Sequence, residues 1–300
     1  MRIGVFTKNL SNPAYAAARL GADRMAAALG ATTEHHVPET PDDPGEQSDL
    51  IRRALEDPPD AIVITPVHET KVDDAIRLCE AAGVPLFCFV SRSRAGRYVS
   101  FVGSDDARVG EAIAVRLFEH LDGRGRVVVV AGPAESATSR DRVDAFLRTA
   151  ARYPASCIVA HCTGDYQRHM AASEFARVLQ DQPVIDGVLC ANDIMAIGVI
   201  DALGAVGRQA AIVGVNAIPQ AIRAIQDGLM LATADFNAMA MAALATECAI
   251  RHLRGERVPA TLELPVGLVD RANCHLWDRP YAERELQFLN QLDAPGALRT

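Results

Sequence analysis

The sequence lacks a long apolar run. Hydrophobic residues make up 49% of its 300 positions, an ordinary share for a globular chain. Yet no stretch approaches the ~18 consecutive apolar residues that a membrane span needs, so membrane insertion is not expected. A concentrated basic patch is also missing. The 30 Lys and Arg are dispersed and outnumbered by 38 Asp and Glu, giving a net charge of -8. Phosphate backbones bind to a dense positive face, so nucleic acid is excluded as an expected partner. There is no disulfide framework: Cys79, Cys88, Cys157, Cys162, Cys190, Cys248 and Cys274 are odd in number and irregularly spaced. Most fall on apolar faces, where free Cys acts as a small hydrophobe. Thiols of this number fit a reducing compartment. The chain opens on MRIGVF without the charged, apolar and small-residue segments of a leader, which gives cytoplasmic residence as one expectation.

The signatures of catalysis that suit such a chain are absent too. The turn after the first apolar run, TKNLSNP, contains no glycine, so the dinucleotide-binding fingerprint is missing where it belongs. There is no GxxxxGK[ST] phosphate loop and no GxSxG elbow. Glu34–His35–His36 and His161–Cys162 are the only candidate metal clusters, and neighbours on a strand point to opposite faces, so they do not converge on one ion. The pairs Asp73–Asp74 and Asp105–Asp106 suit helix N-termini. No nucleophile–base pair emerges. The expectation is a protein that is not an enzyme and carries no cofactor and no metal.

What is present is alternation. Short apolar, β-branched runs at 3–6, 61–65, 85–90, 127–131, 157–160, 187–190 and 211–215 are separated by amphipathic segments rich in Ala, Leu and Arg. Strands alternating with helices of that length mean βαβ units and parallel sheet, and near-continuous apolar strands mean that helices cover both faces. The order is interrupted at 97–110, at 231–235 and at 261–270, as several extended crossings between two α/β halves would require. A final amphipathic helix is expected over 281–292, followed by a Pro/Gly tail.

Open α/β sheets bind ligands outside the carboxyl ends of their strands. Asn12 and Tyr15 follow the first strand, Ser91, Arg92 and Arg94 the third run, and Ser139 and Arg140, Tyr166, Asn192 and Asn216 the later ones. Amides, a guanidinium and two Tyr rings together suit hydroxyl recognition and stacking on a small polar molecule. Each also has a plainer role: Asn192 as a helix N-cap, Arg140 as a solvated helix residue, Asn216 as a turn former.

The stretches NLSNPAYAAARLGAD, VSFVGSDDARVGE, LCANDIMAIGVIDAL and AIVGVNAIPQAIRAIQDGLMLATADFN resemble the type I periplasmic binding proteins. The resemblance is to the ribose-binding-protein-like sugar receptors of ABC transporters, relatives of LacI-type effector domains, and spans about residues 1 to 268. It implies an α/β fold of two Rossmann-like lobes with parallel sheets, joined by three crossover hinge segments, with ligand in the interlobe cleft. The lobes would be 1–103 plus 236–265, and 104–235 plus 266–300, the last including an extension over about 270–300. Hinge positions would be Gly103, Ser104 and Asp105, then Asp235, then Pro265 and Val266. Ligand-binding positions would be Asn12, Ala14, Tyr15, Val90, Ser91, Arg140, Tyr166, Asn192, Asn216 and Phe236.

Asn12, Arg140 and Asn192 keep the residue type of the ribose receptors, and Tyr15 and Tyr166 keep aromatic character. Val90–Ser91 replaces an Asp–Arg pair, Asn216 an Asp, Phe236 a Gln and Ala14 a Phe. Losing two carboxylates removes charge-assisted acceptors, which favours a deoxy sugar, a polyol or a less hydroxylated molecule over ribose. The implied role is a monomeric, non-catalytic receptor that hands a sugar or polyol to an ABC permease in the periplasm. The alternative is a cytoplasmic ligand sensor like a LacI-type effector domain without its DNA-binding headpiece.

Overall fold

The computed structural model describes residues 1–292. The chain divides into two compact units: Met1–Ser104, Asn237–Pro265 and the segment from Pro280 form the first, and Asp105–Phe236 with Val266–Arg279 the second.

The first unit alternates β1 (Arg2–Phe6), α1 (Pro13–Ala28), β2 (Thr32–His36), α2 (Pro44–Ala54), β3 (Ala61–Ile64), α3 (Asp73–Ala81), β4 (Leu86–Phe89) and β5 (Tyr98–Gly103). The second carries α4 (Asp106–His120), β6 (Arg124–Ala131), α5 (Ala137–Ala150), β7 (Ala155–Thr163), α6 (Arg168–Asp181) and β8 (Gly187–Cys190). It continues through α7 (Asp193–Ala205), β9 (Ala211–Val215), α8 (Pro219–Gln226) and β10 (Ala232–Asp235). The chain then returns to the first unit for α9 (Ala238–Leu253) and β11 (Thr261–Glu263), and adds β12 (Gly267–Asp270) to the second.

The first sheet has the order β11-β5-β4-β3-β1-β2, and every pairing in it is parallel. The second has the order β12-β10-β9-β8-β6-β7, parallel except where β12 runs against β10. Strands β3, β4 and β8 are buried along their whole length, as strands covered by helices on both faces must be.

Small residues set how closely the first unit packs. A Cβ on Gly21 of α1 would lie 2.3 Å from the Met239 carbonyl oxygen of α9, so this crossing needs a glycine. α9 answers with an Ala-rich sequence buried from Ala238 to Ile250.

Three features depart from the sequence reading. β2 is a strand without an apolar run: Thr-Thr-Glu-His-His sits at a sheet edge with little burial. The helix expected over 281–292 is instead a single 3-10 turn, Tyr281–Glu283, and a short helix, α10 (Leu289–Leu292). Residues 280–292 also group with the first unit, not with the second where everything after 266 was expected. The chain thus changes unit after Ser104, Phe236 and Pro265, and once more after Arg279. Contacts within the first unit explain the last change. Arg24 donates to the carbonyls of Tyr281 and Arg284, and the Leu289 N–H to the carboxylate of Glu247. The expected tail beyond residue 292 lies outside the described residues.

Candidate functional site

In each unit the polar residues gather beyond the carboxyl ends of the strands. In the first unit, Asn12 is buried and caps α1, its Oδ1 accepting from the Ala14 N–H at 3.0 Å. Pro13 starts the helix where its missing N–H is harmless. The Asn12 N–H donates to Asn9 Oδ1 at 2.9 Å. Ala14 is buried and Tyr15 half-buried. The capping role weighed for Asn192 therefore holds for Asn12 as well, leaving its amide NH2 as a donor.

Val90 sits in a backbone conformation that a β-branched residue rarely adopts. Its φ is +63°, and the Ser91 N–H bonds back to the Phe89 carbonyl at 2.8 Å. This is a γ-turn with a positive-φ centre, a strained form. The Val90 N–H is tied to Val102 O at 3.0 Å, and the Ser91 hydroxyl donates to Pro66 O at 3.0 Å. Strain held in place like this clusters at ligand sites. Of the nearby arginines, Arg92 lies over the Phe101 ring at 4.5 Å and Arg94 pairs with Glu69.

The sequence reading passed over three neighbours. Lys8 and Asn9 are buried directly after β1, and Asn9 Nδ2 donates to the Asp42 carboxylate at 3.1 and 3.2 Å. Burial raises the pKa of Asp42, with Lys8 and Asn9 opposing the rise. A buried Lys right after an apolar strand was the available signal, because Lys is almost never buried without a partner.

In the second unit the buried cation is Arg142, whereas Arg140 lies at the surface. Arg140 is exposed and folds back onto the carbonyls of Ala134 and Glu135. Arg142, two residues on and about 200° round α5, is 4% exposed. Its Nε donates to Asp106 at 2.7 Å and its Nη1 to Ala191 O at 2.9 Å, and its guanidinium lies 5.3 Å from the centre of the Phe236 ring. α5 accounts for the difference: its buried face runs Ser139, Arg142, Ala145, Phe146, a helical spacing that leaves 140 on the outside.

Tyr166 takes a left-handed backbone, φ +57°, which lays its ring over Gly132, where a Cβ would come within 2.5 Å. Its hydroxyl pairs with Thr138 Oγ1 at 3.0 Å, and burial raises its pKa. Asn192 Oδ1 caps α7 through the Met195 N–H at 2.9 Å, again leaving the amide NH2 to donate. Beside it, Asp193 is wholly buried. It accepts from the Thr233 hydroxyl at 2.7 Å and the Ile218 N–H at 3.1 Å, and burial pushes its pKa up to about 7. This bridge fixes the turn after β9, where Asn216 and Ala217 have φ of +123° and +50°. Asn216 Oδ1 is buried there without a hydrogen-bond partner among the described residues. Phe236, following β10, is 5% exposed.

Each unit thus carries an aromatic ring and amide donors at its strand ends. The second adds a buried Arg and an unsatisfied acceptor. Among the described residues no group of three or more His, Cys, Asp or Glu is arranged to hold a metal ion, and no helix is long and apolar enough to cross a membrane.

Comparison with known proteins gives concordant results. The sequence model of the periplasmic binding protein domain matches residues 3–257. The ribose import binding protein of Bacillus subtilis is 24% identical over 266 residues, 89% of this chain and 86% of the relative. The D-apiose import binding protein of Actinobacillus succinogenes is 30% identical over 212 residues, 70% of this chain and 68% of the relative. Among solved structures, an ABC transporter solute binding protein from Mycobacterium smegmatis with bound glycerol superposes with a TM-score of 0.86 at 29% identity. That match covers 93% of this chain and 97% of the other.

Proposed function

This chain belongs to the periplasmic binding protein family, and we propose that it is a non-catalytic receptor for a small neutral polyol or deoxy sugar. The observation that carries this reading is the buried, unpartnered Oδ1 of Asn216. A buried acceptor without a donor costs about 1–3 kcal/mol, and a ligand hydroxyl removes that cost. At the strand ends of the same unit, Arg142 and the amide NH2 of Asn192 are donors, and Tyr166 and Phe236 are rings, a composition suited to a hydroxylated, uncharged molecule.

In this proposal the same ligand is read by Asn12, Tyr15 and the Val90–Ser91 turn in the first unit, with Arg142 taking the role first expected of Arg140. Val90 and Asn216 offer no carboxylate where the ribose receptors have one, and Ala14 lacks their second ring, which disfavours ribose. The passages at Gly103, Ser104 and Asp105, at Asp235 and Phe236, and at Pro265 and Val266 act as hinges. The receptor works as a monomer in the periplasm and delivers ligand to an ABC permease. Its relatives, the import binding proteins for ribose and D-apiose, support the transport reading.

A ligand that binds only the folded state raises the melting temperature by mass action. A thermal-shift screen of pentoses, hexoses, deoxy sugars and polyols tests the proposal. A neutral polyol or deoxy sugar is expected to give the largest shift. A screen in which no such compound moves the transition removes the reading.

A further inference from the structure

The second unit has a cavity of about 1010 Å³ at the amino-terminal end of its sheet, large enough for a small molecule. Its walls come from the last turns of α4 and α7, the turn into β9 and the segment joining α8 to β10. Ala211 and Ile212, which start β9, line it, whereas Asn216 follows the far end of that strand. Five residues of strand separate the two by roughly 15 Å, so one small ligand does not reach both.

The floor is apolar: Leu203, Ile212, Ile225 and Met230 are buried beneath it, while Ile200, Leu229 and Leu231 keep apolar surface open to water. The polar wall is of one sign. Arg116, Arg208 and Arg271 are its charged side chains, beside His120 and Gln209, and no acidic side chain lines the cavity, in a chain whose net charge is -8. Two of these cations are engaged. Arg116 pairs with Asp270 at 3.3 Å, and Arg208 donates to the carbonyls of Leu179 and Gln182 at the end of α6. The partly negative carboxyl ends of α4, α7 and α8 face this region and offset some positive charge. Arg271 remains, exposed at the rim with no hydrogen-bond or ion-pair partner for its guanidinium among the described residues.

We propose that this cavity is a second ligand site, for a small amphipathic carboxylate whose apolar body covers Ile200, Leu229 and Leu231 and whose carboxylate meets Arg271. Guanidinium matches carboxylate with paired, charge-assisted hydrogen bonds. Removing this open apolar surface from water supplies the remaining attraction. The site is separate from the strand-end cluster, so its occupancy is independent of sugar or polyol binding.

Gly204 makes the test clean. It lies in α7 and lines the cavity, and a Cβ there meets nothing within 4 Å. A Phe at this exposed position therefore meets no clash at its Cβ and adds bulk at the rim of the cavity. Octanoate and its neutral counterpart 1-octanol are titrated by calorimetry into the intact protein, Gly204→Phe, Arg271→Glu and Asn216→Ala. Octanoate is expected to bind the intact protein and Asn216→Ala equally. Arg271→Glu and Gly204→Phe each weaken it at least tenfold, and 1-octanol binds at least tenfold more weakly. Thermal melts verify that each variant folds. Absence of octanoate binding at millimolar concentration overturns the proposal. Equal affinity for the folded Gly204→Phe variant or for 1-octanol also overturns it.

Discussion

The indole N–H of Trp277 donates to the Asp235 carboxylate across 2.7 Å. The bond joins the segment that follows β12 to the last residue of β10, and Gln226 reinforces it by donating to Asp278 at 2.9 Å. Replacing Trp277 with Phe keeps a ring near Gly267 and deletes the donor. A hydrogen bond to a charged group is worth about 1.5–3 kcal/mol when well buried, and this carboxylate is only half-buried. Trp277→Phe is therefore expected to lower stability by about 1–2 kcal/mol in urea unfolding. Trp277 is the chain's one Trp, so selectively excited tryptophan emission of the unmodified protein reports the environment of this joint.

Arg142 and Arg140 make a matched pair of variants. Arg142→Ala leaves the mostly covered Asp106 without its 2.7 Å partner, and breaking a pair that is largely buried costs up to about 3–5 kcal/mol. Arg140→Ala removes an exposed side chain and is expected to stay within about 0.5 kcal/mol of the parent. Denaturant midpoints distinguish the two. Equal effects contradict the assignment of Arg142 as the buried cation.

Asp193 gives stability a pH dependence of definite sign. Its folded pKa stands at about 7 because of burial, against about 3.9 for an unfolded Asp. Between these values the unfolded chain has released a proton that the folded protein still holds. The Asp193 contribution is therefore fully present below about pH 4 and is lost as pH rises through about 7. Asp193→Asn is expected to flatten this slope over pH 4–7 in melting experiments. It is also expected to cost about 1–3 kcal/mol, because one amide oxygen replaces two acceptors for Thr233 and Ile218.

Gly21 is expected to tolerate no side chain. The Cβ of Gly21→Ala would meet the Met239 carbonyl, a backbone atom, at 2.3 Å. The strain is of the overpacking kind, about 1–3 kcal/mol or more. Gly204→Ala, where space is open, should instead gain a few tenths of a kcal/mol or more from helix propensity.

The alternation of apolar strands and amphipathic helices was legible in the sequence because covered parallel strands are apolar throughout, as β3, β4 and β8 show. β2 was not, since an edge strand with little burial needs no apolar run. Arg142 was hidden because a single buried Arg looks like its exposed neighbour Arg140 until helical phase is fixed. Asn192 was legible as a helix start and caps α7 with its oxygen, whereas the same role of Asn12 at α1 went unread. The Val90 turn was invisible, because no propensity places a β-branched residue at φ +63°. The passage back to the first unit after Arg279 rests on bonds from Arg24 and Glu247, which are more than 35 residues away in sequence, so no local pattern announces it.

The most direct test of the receptor assignment is calorimetric titration of the polyol or deoxy sugar that gives the largest thermal shift. It is carried out on the intact protein, Tyr15→Ala from the first unit and Asn216→Ala from the second. The account predicts one-to-one binding that weakens at least tenfold in each variant while both remain folded. Undiminished affinity in either folded variant, or tighter binding of ribose than of any polyol or deoxy sugar, would contradict it.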